Sequence, residues 1–136
     1  YTVTGRRTAS TDRMIVSDMQ GNPLLKIRVA PFHVFYAFSV NDSKERFTMV
    51  AANIGSRTDF RFHGISWLLC RGCDRRSFEI YDADGSVVMS QSADKLISSG
   101  VYTLDIISER RELFCIGAAV CADVINYADS AVKVTV

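Results

Sequence analysis

The sequence is poor in the parts from which most enzymes and most secreted scaffolds are built. It has two histidines in 136 residues, His33 beside Phe32 and His63 beside Phe62, both in segments that read as strand ends. No Gly-x-Ser-x-Gly, Walker loop or His-Glu-x-x-His pattern is present, so nucleophilic, phosphoryl-transfer and zinc-hydrolase chemistry have nothing to stand on. The expectation is a non-enzymatic protein with no cofactor. Four cysteines, Cys70, Cys73, Cys115 and Cys121, are too few and too clustered for a disulfide framework. Two of them fall in an apolar segment, where a free thiol behaves as a small hydrophobe. That usage fits a reducing, cytoplasmic setting. No apolar run reaches the roughly 17–25 residues of a membrane span, and no signal peptide is evident. The chain opens on Tyr1 rather than Met, so a missing N-terminal piece is expected.

Charge of one sign is also lacking. The net charge is +1, which argues against an obligatory nucleic-acid binder, although its distribution is uneven. Residues 1–76 hold 12 Lys/Arg against 6 Asp/Glu, and residues 77–136 hold 4 against 9. Such asymmetry suits a basic face for an anionic partner, or two oppositely charged sides that hold each other. The length is that of one domain, residues 1–136, with enough chain to bury a core.

What is present is one strongly apolar stretch near the C-terminus. From Leu113 to Ala122 no charged or strongly polar side chain occurs. Gly117, Ala118, Ala119 and Ala122 favour a helix over a strand, and a helix apolar on every side must be buried on every side. The segment is expected to be helical from Leu113 to Tyr127, with Ser108 as N-cap and Glu109 and Glu112 set against the helix dipole. Small residues four apart, Gly117 with Cys121 and Ala118 with Ala122, let another backbone approach.

Everything before it alternates like strands. Tyr1 and Val3 form a strand stub. Met14–Val16 and Leu24–Val29 flank a turn at Asp18–Pro23, with Leu25, Ile27 and Val29 on one face and Lys26 and Arg28 on the other. Further strands are read at Val34–Val40, Arg46–Ala52, Thr58–Phe62, Ile65–Leu69 and Tyr102–Ile106, and Val132–Val136 is expected to add a terminal one. The first hairpin recurs: Asp18-x-x-Gly21 and Asp82-x-x-Gly85 lie 64 residues apart between similar strands, the mark of an internal duplication. About ten short strands and one helix predict an α+β, mainly β fold, an antiparallel barrel closed around the C-terminal helix.

The paired Asp-x-x-Gly hairpins, and Gly100-Val101-Tyr102-Thr103-Leu104-Asp105-Ile106 leading to the apolar helix with Asp123-Val124-Ile125, resemble the Tubby C-terminal-like superfamily, in particular its LURP-one-related branch with bacterial relatives. The resemblance spans Arg13 to Ala128. It implies a barrel of about twelve strands around a central helix, and only Tyr1–Asp12 is available for the hairpin that usually comes first. It also implies a binding or scaffold module, for anionic phospholipid or phosphoinositide headgroups, with a peripheral membrane position or a protein partner as further expectations. In Tubby relatives a basic pair on a strand holds such headgroups, and Lys26 with Arg28 is similar. Arg57, Arg61, Arg71, Arg75 and Arg76 would widen the patch. The plainer reading of all seven is a solvated outer face.

Three other features have bland readings that weigh more. Cys70-x-x-Cys73 has metal spacing, but a structural zinc site needs four ligands, and only His33, His63 and helix cysteines remain to supply them. Asp82-Ala83-Asp84-Gly85 opens like a calcium loop, a role linked to the scramblases that resemble this fold. An EF-hand, however, needs Gly and Glu where Val87 and Ala93 stand. Asp123 within the helix needs a partner or water, and a structural hydrogen bond suffices. A lipocalin-like carrier of a small apolar ligand is the alternative function, but a buried helix would fill the interior it requires. A scramblase-like membrane-associated protein is a further alternative.

Overall fold

The computed structural model describes residues 1–5, 12–31, 35–54, 57–71, 77–93 and 102–135. The chain divides into two compact units, Tyr1–Ser66 and Trp67–Val136.

The first unit is a six-stranded antiparallel meander in sequence order. Its strands are β1 (Thr2–Gly5), β2 (Asp12–Ser17), β3 (Pro23–Pro31), β4 (Phe35–Asn41), β5 (Arg46–Ile54) and β6 (Arg57–His63). The period-2 alternation sorts its side chains: Met14, Val16, Leu25, Ile27, Val29, Phe38, Val40, Phe47, Met49, Ala51 and Phe60 are buried on one face. Phe47 and Phe62 add an aromatic contact, ring centroids 5.9 Å apart.

The second unit carries four antiparallel strands, β7 (Leu68–Arg71), β8 (Phe78–Tyr81), β9 (Val87–Ala93) and β10 (Tyr102–Ile106), in the order β10-β9-β8-β7. A 3-10 turn at Glu109–Arg111 leads into helix α1 (Glu112–Thr135), which packs along β9. Ser108 occupies the cap position, but its side chain makes no capping bond; its backbone carbonyl accepts Arg111 N–H at 3.1 Å. From Leu113 to Ala122 every side chain is buried or half-buried, as an all-apolar helix requires.

Three expectations are corrected. Among the described residues the strands number ten, the count read from the sequence, but they do not pair into a closed barrel: β6 pairs with β5 and β7 with β8, in two separate ladders. The ladder breaks at Gly64, which takes φ +88° and turns the chain out of β6. A Cβ there would stand 3.2 Å from the carbonyl oxygen of Arg46. For the same reason Ile65–Trp67 is not strand, although Trp67 is buried, and β7 starts at Leu68. Residues 132–135 are helical rather than a terminal strand. Each residue added to an existing helix gains a hydrogen bond without repeating the cost of nucleation, and this outweighs the strand preference of Val132, Val134 and Thr135. The Ser98–Gly100 turn lies outside the described residues. Among the described residues no helix is long and apolar enough to cross a membrane.

The duplication is exact in register. In β2–β3 the pairs Val16↔Leu25 and Ser17↔Pro23 bracket a bulge; in β8–β9 the pairs Ile80↔Met89 and Tyr81↔Val87 do the same, every residue 64 further on. Both turns close alike. Gly21 N–H bonds the Asp18 carbonyl at 3.1 Å and Gly85 N–H the Asp82 carbonyl at 3.0 Å. Both glycines sit in the left-handed region, at φ +87° and +85°, which side chains other than Gly and Asn seldom adopt.

Candidate functional site

The outward face of the six-stranded sheet is assembled by register. Arg13 on β2 is directly opposite Arg28 on β3, and the row continues through Ser39, Thr48 and His63. The adjacent row runs Ile15, Lys26, Asn41, Arg46. Neighbouring strands are about 4.8 Å apart and alternate residues of one strand about 7 Å apart, so the backbone positions of Arg13, Lys26 and Arg28 are near neighbours on one face. All three are exposed, as are Arg46, Arg61 and His63. Among the described strand residues the one carboxylate on this face is Asp59, which accepts a bond from Arg61 Nε at 3.3 Å.

Like charges placed directly opposite across a ladder are destabilising, and the sister hairpin shows that the scaffold does not require them. Positions 64 residues beyond Arg13, Lys26 and Arg28 are Ser77, Ser90 and Ser92, and beyond Ile15 is Glu79. The same backbone therefore carries three cations in one copy and three hydroxyls with a carboxylate in the other. With short side chains in place of long ones, the second copy has a groove of about 470 Å³, lined by Ser77, Glu79, Ser90 and Ser92 together with Cys70 and Tyr81 among others. In it the Tyr81 hydroxyl donates to the Glu79 carboxylate, and losing that hydrogen bond on ionisation raises the phenol above its usual pKa.

Of the seven basic residues expected to form a patch, Lys26, Arg28 and Arg61 are exposed on the outward face, and Arg57 holds a register position on the same face. Arg57 begins β6 opposite Ile54. Arg71 ends β7 in the second unit, half-buried and opposite Phe78, so it belongs to another sheet. Arg75, Arg76, Cys73 and His33 lie outside the described residues. Arg13, Arg46 and His63 were not anticipated. Once the Asp18–Pro23 turn is accepted, Arg13 falls opposite Arg28 by counting; His63 requires the register of three further hairpins.

The remaining candidates have structural employment. Cys70 is exposed on β7 opposite Glu79. Asp84 Oδ1 accepts the Ser86 hydroxyl at 2.5 Å and its N–H at 2.9 Å, which holds the Asp84 carboxyl below its usual range. Asp82 Oδ1 accepts Ala83 N–H at 2.8 Å, so both carboxylates have bonds within their own turn. No grouping of three metal-ligating side chains occurs among the described residues. Asp123 is half-buried on α1. Burial pushes the Cys115 thiol up to about 12 and raises Cys121 as well, which keeps both protonated and unreactive.

The profile of the LURP-one-related family matches residues 1–123. The chain belongs to the LURP-one-related family. That family is part of the Tubby C-terminal-like superfamily, and this member has two antiparallel sheets and one C-terminal helix. No curated protein and no solved structure matches this LURP-one-related chain.

Proposed function

We propose that this LURP-one-related domain is a non-enzymatic docking module, peripheral at the cytoplasmic surface of membranes, that binds anionic phospholipid headgroups through the outward face of its six-stranded sheet. The observation that carries the reading is the contrast between the sister hairpins. The hairpins share register from Met14↔Ile27 and Phe78↔Gln91 through the bulge to the turn, yet Arg13, Lys26 and Arg28 in one copy stand where the other has three serines. Backbone architecture does not account for the cations, and the Arg13–Arg28 opposition costs stability that a bound phosphate would return. Ser39, Thr48 and His63, in line with the arginine pair, offer further hydrogen bonds to phosphate oxygens.

Co-sedimentation with vesicles tests it. The domain is expected to bind vesicles containing phosphatidylserine or a phosphoinositide and to ignore neutral phosphatidylcholine vesicles. Binding should weaken as salt rises and be lost in the double variant Lys26→Ser/Arg28→Ser, which copies the sister hairpin. Equal binding to neutral and anionic vesicles, or full binding by that variant, would overturn the proposal.

A further inference from the structure

We infer that the β2–β3 hairpin tip is a membrane-inserting element: Met19 enters the interfacial region of an anionic bilayer while the basic residues of the same hairpin hold headgroups. This rests on the docking function proposed above, and it commits the site to a lipid surface rather than to a free phosphate compound.

Met19 is 85% exposed, the most exposed large apolar side chain among the described residues. Isolated apolar residues on a surface are ordinary. This one stands at the corner of the sheet where Thr2 pairs with Ser17 at the mouth of the turn, and Tyr1, next to Thr2, is 54% exposed. The turn does not need it. The corresponding position in the sister turn is Ala83, and that turn closes with the same backbone bonds and the same glycine conformation. The methionine is thus surplus to the fold in the one hairpin that also carries Arg13, Lys26 and Arg28.

The tip is held rather than loose. Asp18 Oδ1 accepts the N–H groups of Gln20 at 3.0 Å and Asn22 at 2.9 Å, and Oδ2 accepts the Asn22 side-chain amide at 3.0 Å. A preorganised loop presents its apolar side chain without paying for ordering on contact. The dimensions agree: Lys26 lies three residues from the turn, about 10 Å along the strand. Interfacial elements bury their apolar side about 5–10 Å into the headgroup and acyl boundary. With the tip leading and the basic face turned toward the membrane, Met19 reaches that boundary while Lys26 and Arg28 stay at phosphate level. Of the carboxylates at this end, Asp18 and Asp42 are bonded within their own turns, where Asp42 Oδ1 accepts Lys44 and Glu45 N–H groups, and Glu45 is exposed beside Arg46.

The test separates insertion from docking. Met19→Ala and Met19→Glu are compared with wild type on vesicles of phosphatidylcholine with phosphatidylserine, and on soluble glycerophosphoserine as headgroup alone. Met19→Trp is examined on the same vesicles with bromine on the acyl chains, against wild type, whose single Trp67 is buried. Expected are a roughly tenfold loss of vesicle affinity in Met19→Glu, a smaller loss in Met19→Ala, unchanged headgroup binding in both, and bromine quenching of the new tryptophan. If Met19→Glu binds vesicles like wild type, or the new tryptophan is not quenched while Lys26→Ser/Arg28→Ser still abolishes binding, insertion is wrong and docking stands. If wild type ignores the vesicles, both are wrong.

Discussion

Arg13 and Arg28 face each other across the β2–β3 ladder on the outward side of the six-stranded sheet. Two cations in that relation repel, so Arg13→Glu is expected to have opposite effects on two readouts. Stability in urea should rise by about 0.2–1 kcal/mol as a like-charge pair becomes an opposite one, and binding to anionic vesicles should fall. A variant that is destabilised yet binds unchanged would contradict both halves.

Gly64 and Gly21 share a backbone region but not a neighbourhood. A Cβ on Gly64 meets the Arg46 carbonyl at 3.2 Å, whereas one on Gly21 meets nothing within 4 Å. Gly64→Ala should cost about 1–3 kcal/mol, toward the upper end, and Gly21→Ala should fall near the bottom of that range. Urea midpoints of the two variants measure the difference; equal costs would mean that the close approach at Gly64 is relieved by a small shift.

The two turns should be interchangeable. Replacing residues 18–22 with Asp-Ala-Asp-Gly-Ser, the sequence of 82–86, is expected to change stability by less than about 0.5 kcal/mol. Chemical denaturation at unchanged m-value checks this, and a loss beyond about 1 kcal/mol would show that the turns differ in more than their side chains.

The thiols give a pH dependence with a defined sign. Cys115 titrates at about 12 in the folded chain, against an ordinary 9.0. Above pH 9 the unfolded state releases a proton that the folded state keeps, so stability falls with rising pH until about 12. Cys121 acts in the same direction. Cys115→Ala should flatten the alkaline limb of the stability profile, and in the native protein at pH 8 an alkylating reagent followed by peptide mapping should mark Cys70 well before Cys115 or Cys121. Equal labelling rates would refute their burial.

At the acid end the expectation reverses. Hydrogen bonds from the Asn22 side chain and backbone hold the Asp18 carboxyl below its ordinary 3.8. Its contribution to the hairpin is present above that value and is lost as pH falls through the lower folded value. Carbon-13 NMR of the Asp18 carboxyl should show a depressed midpoint that returns toward normal in Asn22→Ala.

How much of this was legible in the sequence depended on how local the cause was. Alternation of Leu25, Ile27 and Val29 with Lys26 and Arg28 is a property of neighbouring residues, and so is the absence of any polar position between Leu113 and Ala122. Both read correctly. The Asp-x-x-Gly turns read correctly because their hydrogen bonds lie within five residues. Ile65 and Trp67 misled, because two apolar residues at period 2 look like a strand even when a glycine at φ +88° has taken the chain out of the sheet. A closed ring would cover every edge, but ladder pairing between distant strands has no local signature. The basic face was half seen. Lys26 and Arg28 share a strand, but Arg13, Arg46 and His63 join them only through register, and Arg71, close to the others in charge and sequence, sits on a different sheet.

Helix α1 follows all ten strands in the order of synthesis. The meander of residues 1–66 consists of nearest-neighbour hairpins and can pair as it emerges, each strand finding the one made just before it. The strand β9 against which the helix packs has no such prospect. Its apolar side must wait on the nascent chain until the helix is made, so messages interrupted before the codons for Leu113 should yield a product that chaperones hold and proteases clear.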